Sequence, residues 1–99
     1  GVAVPKFIGL SSSARVSAAR GVGGAISGTI QSMHADYLIN TTDYDADAVL
    51  AATAFAGGVA VTNAANVLTF VSGPDTFTWT YTPRATDVGA FIAETSGFP

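Results

Sequence analysis

The sequence predicts an α+β fold in which one long helix lies across a small antiparallel β-sheet. In the first part of the chain apolar residues recur at steps of three and four, whereas after residue 58 they alternate with polar residues. The first spacing is typical of an amphipathic helix and the second of half-buried strands. The chain has 99 residues, which is enough for one domain with a modest core. We therefore expect a helix over residues 5–38, a connecting loop over 39–58 and a sheet over 59–99.

The predicted helix begins at Pro5. Proline is tolerated there because the first turn of a helix does not need the N–H that proline lacks. An apolar stripe along this segment should cover the sheet. Its members recur at steps of three and four residues and are Val22, Ile26, Ile30, Met33 and Tyr37.

A second stripe, which we call the glycine stripe, lies on the opposite side of the predicted helix. It consists of Ser17, Gly21, Gly24 and Gly28. A glycine inside a helix costs about 1 kcal/mol relative to alanine, so three aligned glycines indicate that another element approaches the backbone closely. We interpret the stripe as a docking groove. Two alternatives stay open: packing stabilises the helix enough to tolerate glycine, or the helix is broken around residues 21–24.

The connecting loop should contain a short second helix. Asp45 follows a polar run and has the side chain of a typical N-cap. The helix would then pass through Val49 and Phe55 and stop at the two glycines of residues 57–58, because glycine readily adopts the left-handed conformation that ends helices.

Four strands are expected after the connecting loop. In the clearest of them, Phe77, Trp79 and Tyr81 alternate with threonines, so the aromatic side chains should face the core and the threonines the solvent. Short turn sequences between the strands favour antiparallel pairing of neighbours as a meander. The predicted strands are 59–62, 67–71, 76–82 and 89–94.

The charges argue against a nucleic-acid-binding protein. The net charge is −3 and only 11% of the residues are charged, whereas affinity for phosphates comes largely from clustered lysine and arginine. The chain has no cysteine, so neither a disulfide framework nor a thiolate metal site is expected. The charges are segregated, since Lys6, Arg15 and Arg20 precede every acidic residue.

No residue pattern predicts an enzyme or a cofactor. His34 is the single histidine, has no serine and carboxylate partners at a recognisable spacing, and is expected on an exposed helix face. Asp43, Asp45 and Asp47 resemble the start of a calcium loop, but the glycine and the distal glutamate of such a loop are absent. Capping and solvation of the connecting loop explain these aspartates better than calcium does.

Residues 2–7 have the sequence VAVPKF and are followed by the predicted helix, which contains no acidic residue before Asp36. This segment resembles the middle of the long N-terminal helix of type IV pilins and type II secretion pseudopilins. The resemblance covers the first third of the chain and is closest to mannose-sensitive haemagglutinin-type pilins. It implies that the family's apolar N-terminal segment would precede Gly1, so the chain is expected to be a soluble fragment. The paired C-terminal cysteines of many pilins are missing here.

The resemblance implies a structural subunit of an extracellular type IV pilus, which supports adhesion, attachment or motility. Its partners would be copies of itself in a helical homopolymer, the pilus assembly machinery and, before assembly, the inner membrane. Attraction between the basic helix of one copy and the acidic sheet of another would help to set the register. The residues expected to pack in the filament are Pro5, Phe7, Leu10, Ser17, Gly21, Gly24 and Gly28.

Two alternative functions remain open. The first is a type II secretion pseudopilin, which would share the fold and the mode of assembly. The second is a freestanding carbohydrate-binding module in which Trp79 and Tyr81 would stack on sugar rings.

Overall fold

The computed structural model describes residues 11–55, 59–85 and 88–99, and these form the expected α+β arrangement. The strands make one antiparallel sheet in the order β1-β2-β3-β4, which confirms the predicted meander. Helix α1 lies across this sheet, and the short helix α2 lies in the connection between them. The bounds are α1 Ser12–Asn40, α2 Ala46–Ala52, β1 Val61–Ala64, β2 Val67–Ser72, β3 Asp75–Thr82 and β4 Phe91–Ser96.

Helix α1 begins later than predicted because Ser11 caps it. The Ser11 backbone is extended, and its hydroxyl accepts a hydrogen bond from the Ala14 N–H at 3.2 Å. The helix therefore starts at Ser12 and not at Pro5, while residues 5–10 lie outside the described part of the chain. It continues unbroken to Asn40, so a break around residues 21–24 is excluded. It ends where Thr41 adopts the left-handed conformation, with φ 56°.

The predicted apolar stripe of α1 does face the sheet. Val22, Ile26 and Ile30 are buried and pack in the same cluster as the aromatic residues of β3, whereas Tyr37 is half-buried at its margin. The prediction that Met33 lies in the core needs correction, because this side chain is only half-buried. It borders an open groove beside α2 and does not reach the centre of the core.

The aromatic residues of β3 point inward and the threonines outward, as expected. Phe77, Trp79 and Tyr81 are each at most 2% exposed. On the outer face the hydroxyl groups of Thr78 and Ser96 form a hydrogen bond of 2.6 Å. The predicted core position of all three aromatic residues is therefore confirmed.

The outer strands are displaced from their predicted positions. Strand β1 starts at Val61 instead of residue 59, and β4 covers 91–96 instead of 89–94. The segment before β4 is bound to the helical side of the molecule. A Cβ atom at Gly89 would lie 3.4 Å from the His34 ring, and the Ala90 N–H donates to the Tyr44 hydroxyl at 3.1 Å. These contacts explain why the pairing of β4 with β3 begins only at Phe91.

Asp45 caps α2 as predicted, because its carboxylate accepts a hydrogen bond from the Ala48 N–H at 2.8 Å. The helix ends at Ala52, and Phe55 lies beyond it. Thr53 causes this early end. Its backbone is extended, while its hydroxyl donates to the Val49 carbonyl at 2.6 Å. The prediction that α2 stops at the glycines of residues 57–58 is therefore wrong, since the helix has already ended at Ala52; those glycines themselves lie outside the described residues.

The C-terminal segment closes one edge of the core, which the sequence did not indicate. The Phe98 ring packs against Phe77 and Trp79, with centroid distances of 5.1 and 5.4 Å. The chain turns into this position at Gly97, which has φ 90°. A Cβ atom there would lie only 2.3 Å from the Thr76 carbonyl oxygen, so glycine is required for close approach as well as for conformation.

Replacing Gly97 with alanine is expected to lower the free energy of unfolding by roughly 2–4 kcal/mol, because left-handed strain and a backbone clash add together. Gly73→Ala is the matched control. Gly73 also has positive φ, but the nearest atom to an added Cβ is 3.9 Å away on the Arg15 side chain, an ordinary contact distance. It should cost only about 1 kcal/mol. Equal effects in urea unfolding would contradict the close approach at Gly97.

Candidate interaction site on the long helix

The glycine stripe of α1 is open along its length. Ser17, Gly21, Gly24 and Gly28 are all exposed. A Cβ atom added at any of the three glycines would meet no side chain and no other segment within 4 Å. The described part of the chain therefore leaves this side of the helix uncovered, and its role as a docking groove stays a prediction. Three other predicted packing residues, Pro5, Phe7 and Leu10, lie outside the described residues.

Gly23 has a different role from its neighbour Gly24. It is buried, and an added Cβ would lie 3.0 Å from the Trp79 Nε1 atom. The position follows Ala19 by four residues and precedes Ile26 by three, which places it on the buried side of the helix. Sequence reasoning missed Gly23, although this spacing could have separated it from the stripe.

Two of the depressions that border the glycine stripe lie on its opposite flanks. The first, which we call the apolar hollow, has a volume of about 290 Å³, and its lining includes Ala18, Gly21, Ala25, Phe55 and Val59. The second, the charged cleft, lies on the other flank and has a volume of about 340 Å³. Its lining includes Arg20, Gly24, Ser27, Trp79 and Glu94. The open face is therefore apolar beside Gly21 and polar beside Gly24, while the open groove next to α2 borders Gly28 with both polar and apolar side chains.

The arginines of α1 pair with acidic residues of the same chain. Arg15 bonds to Asp75, and Arg20 lies 3.4 Å from the Glu94 carboxylate. The expected attraction between basic helix and acidic sheet thus occurs within one molecule for these residues, because the sheet folds back onto its own helix. The Arg20 side chain nevertheless stays 51% exposed, since its partner covers only part of it.

His34 is half-buried and not exposed as predicted. Its Nδ1 atom lies 2.9 Å from the Tyr44 hydroxyl, and its ring stacks on Tyr37 with a centroid distance of 5.7 Å. The loop after α1 returns across the helix at this point, which covers the histidine. These contacts fix the loop and the segment before β4 against the helix.

The three aspartates of the connecting loop bind three separate partners. Arg84 donates to Asp43 at 2.8 Å, Asp45 caps α2, and Asn63 donates to Asp47 at 3.0 Å. The Arg84 hydrogen bond is the main cause that lowers the pKa of Asp43. Within residues 11–55, 59–85 and 88–99, no three His, Cys, Asp or Glu side chains are placed to hold a metal ion.

Tyr81 carries a buried hydroxyl group with no hydrogen-bond partner in the described chain. Burial, with smaller contributions from Tyr44, Asp45 and Asp43, raises the pKa of Tyr81 to about 12. A raised pKa favours the neutral form in the folded state. The contribution of this pKa shift to the free energy of unfolding is fully present below the ordinary pKa near 10. It is lost as the pH rises towards 12.

Replacing Tyr81 with phenylalanine should raise the free energy of unfolding at neutral pH by about 1 kcal/mol, because it removes a buried hydroxyl without a partner. The variant should also lose less stability than the wild type between pH 10 and 12. Urea unfolding across this range measures both effects. Tyr37→Phe is a control, since Tyr37 is only half-buried. A marked loss of stability in Tyr81→Phe at neutral pH would show that the hydroxyl has an important partner.

Comparison with protein-family models, with curated proteins and with solved structures gives no match for this chain. Neither helix in the described residues is both long enough and apolar enough to cross a bilayer.

Proposed function

We propose that this chain is the structural subunit of a type IV pilus, which assembles by helix packing and serves adhesion, attachment or motility. The observation that carries the proposal is the division of α1 into two sides. Val22 and Ile26 are buried against the chain's own sheet, whereas Gly21, Gly24 and Gly28 are not covered by any other described segment. The resemblance of residues 2–7 to the pilin helix supports the same conclusion.

The two sides of α1 suit different partners. The apolar side is used within the molecule, and its burial stabilises the fold. On the other side, small residues allow a second helix to approach the backbone closely, as in packed helix pairs of membrane proteins. Contacts between different surfaces of identical subunits produce an open helical polymer when the rotation does not close. A filament is therefore the assembly that this helix favours.

The proposed role is non-enzymatic and needs no cofactor. Its other partners would be the pilus assembly machinery and the inner membrane before assembly, with the finished filament outside the cell. The carbohydrate-binding alternative needs exposed aromatic faces, whereas Trp79 and Tyr81 are each 2% exposed. The pseudopilin alternative shares the two-sided helix, and the length and location of the assembly distinguish it from a pilus.

Filament purification tests the proposal. Cells that express the gene with its native upstream region should yield extracellular filaments in which this chain is the repeating subunit, as identified by mass spectrometry and antibody labelling. Deletion of the gene should remove the filaments, and complementation should restore them. Short assemblies confined to the cell envelope would favour the pseudopilin. Unchanged filaments in the deletion strain would contradict a role as the main subunit.

A further inference from the structure

We infer that neighbouring copies pack with parallel, staggered helices, so that Leu38 of one copy fills the apolar hollow of the next and Asp36 lies beside its Arg20. This inference rests on the proposed function, and it specifies which residues of the two copies meet. It comes from two features of α1: an exposed apolar end, and a separation of charge along the helix. Arg20 stays 51% exposed beside Glu94, and within the described chain Asp36 accepts a hydrogen bond only from the Asn40 amide.

The apolar end of α1 matches the apolar hollow. Leu38 is 65% exposed and Ile39 is 79% exposed, although both are large and apolar. The hollow has space for such a side chain and is lined mainly by small and apolar residues, including Gly21, Ala25 and Phe55. Leu38 lies near the C-terminus of α1, whereas the helical residues that line the hollow precede it by 13 to 20 positions, so one copy cannot bring them together. A second copy can.

The charges of α1 are complementary in the same arrangement. Arg15 and Arg20 lie in the N-terminal half, whereas Asp36, which is exposed, is the single acidic residue of the helix and lies near its C-terminus. This distribution gains little within one helix, because Arg20 and Asp36 are about 24 Å apart and exposed charges at that distance are largely screened. It becomes favourable when the C-terminal end of one copy lies beside the N-terminal half of another, since opposite charges then face each other.

Helix geometry allows the contact of Leu38 with the apolar hollow and the contact of Asp36 with Arg20 to form at the same time. Leu38 follows Arg20 by 18 residues, and Asp36 follows Ala18 by 18 residues. Eighteen residues are about five turns, so Leu38 lies on the charged-cleft side of the stripe and Asp36 on the hollow side. When parallel helices pack face to face, opposite sides of the stripe meet. Leu38 then faces the neighbour's hollow while Asp36 faces its Arg20.

The same geometry fixes the stagger and the direction. Arg20 and Asp36 are 16 residues apart, which corresponds to an axial offset of about 24 Å. Leu38 and Gly21 differ by 17 residues, so the two contacts require nearly the same offset. In an antiparallel pair the hollow side of one helix would face the hollow side of the other. Asp36 would then lie against the neighbour's apolar hollow. The Asp36 charge would lose water and keep, among the described residues, only the Asn40 amide as a partner, which would disfavour that pair.

Charge reversal in the native filament tests the inference. Arg20→Glu and Asp36→Arg should each lower filament yield about fivefold or more, because attraction becomes repulsion at every contact. The double variant should recover most of the yield. Glu94→Gln removes the partner of Arg20 within the chain and should leave filaments unchanged. Thermal melting of each soluble domain verifies folding, since both reversed positions are exposed.

The outcomes separate this inference from the proposed function. Wild-type filaments together with normal yields from both single reversals would overturn the stagger and leave the proposed function intact. Failure of the double variant to recover, with the domain folded, would also overturn the stagger. If the wild-type chain forms no filament, the proposed function is wrong and this inference falls with it.

Cross-linking measures the same contact directly. The 99 residues contain no cysteine, so Arg20→Cys and Asp36→Cys can be combined and treated with a short bis-maleimide. About 24 Å separates the two positions within one helix, too far for the reagent. A ladder of linked chains is expected from the double variant in filaments. Linked pairs from either single-cysteine variant would indicate a symmetric contact and contradict the staggered arrangement.

Discussion

Replacing Trp79 with alanine is expected to lower the free energy of unfolding by about 3–5 kcal/mol, the usual cost of deleting a large buried aromatic side chain. Trp79 is 2% exposed and lies where the helix, the sheet and the C-terminal segment meet. Its ring contacts the Phe98 ring at a centroid distance of 5.4 Å and approaches Gly23 closely. Its loss would therefore leave a cavity that no single element can fill. Urea unfolding of the purified domain measures the effect.

Phe91→Ala is the matched control for Trp79→Ala. Phe91 belongs to the same sheet but is 51% exposed, so its removal should change the free energy of unfolding by about 0.5 kcal/mol or less. A Trp79→Ala variant as stable as the wild type would contradict the core role of Trp79. Loss of sugar binding in such a stable variant would favour the carbohydrate-binding alternative.

Gly24→Leu in the full-length gene product is expected to abolish filaments while the domain stays folded. A Cβ atom added at Gly24 would meet no side chain and no other segment within 4 Å in the described chain. Leucine also has the higher helix propensity, so the free energy of unfolding should rise by up to about 1 kcal/mol. In the filament the same side chain would hold the neighbouring helix away. Electron microscopy of filaments and thermal melting of the purified 99-residue domain give the two readouts.

The adjacent glycine provides the control for this experiment. Gly23→Leu would press against the Trp79 ring, because even a Cβ atom lies 3.0 Å from Nε1. We expect this variant to lose filaments through loss of stability, whereas Gly24→Leu loses them with the fold intact. Filaments of normal abundance from Gly24→Leu would show that the glycine stripe is not an assembly surface.

The features that the sequence predicted best have strict periodicity. The body of α1 follows from apolar residues at steps of three and four, and the orientation of β3 follows from alternating aromatic residues and threonines. Both patterns repeat often enough to outweigh local exceptions. The bounds were less predictable because they depend on single side chains. Ser11 starts α1, and the hydroxyl of Thr53 helps to end α2.

The site could be predicted in part. Helical spacing was enough to put Gly21, Gly24 and Gly28 on one side, opposite the apolar stripe. Whether that side is covered depends on where the rest of the chain folds, which spacing does not reveal. The same limit explains two contacts that spacing did not reveal. His34 is half-buried because the following loop returns over it, and Arg20 pairs with Glu94 because β4 lies beside the helix.

Thiol labelling of the glycine stripe tests most directly whether copies of the chain cover it. Ser17→Cys introduces a thiol on the stripe, and Thr62→Cys introduces one on β1; both positions are exposed. In the isolated domain both thiols should react rapidly with a maleimide. In filaments we expect the maleimide to react much more slowly with the thiol at position 17, while its reaction with the thiol at position 62 stays rapid. Equally rapid labelling of both positions in intact filaments would contradict assembly through this side of the helix.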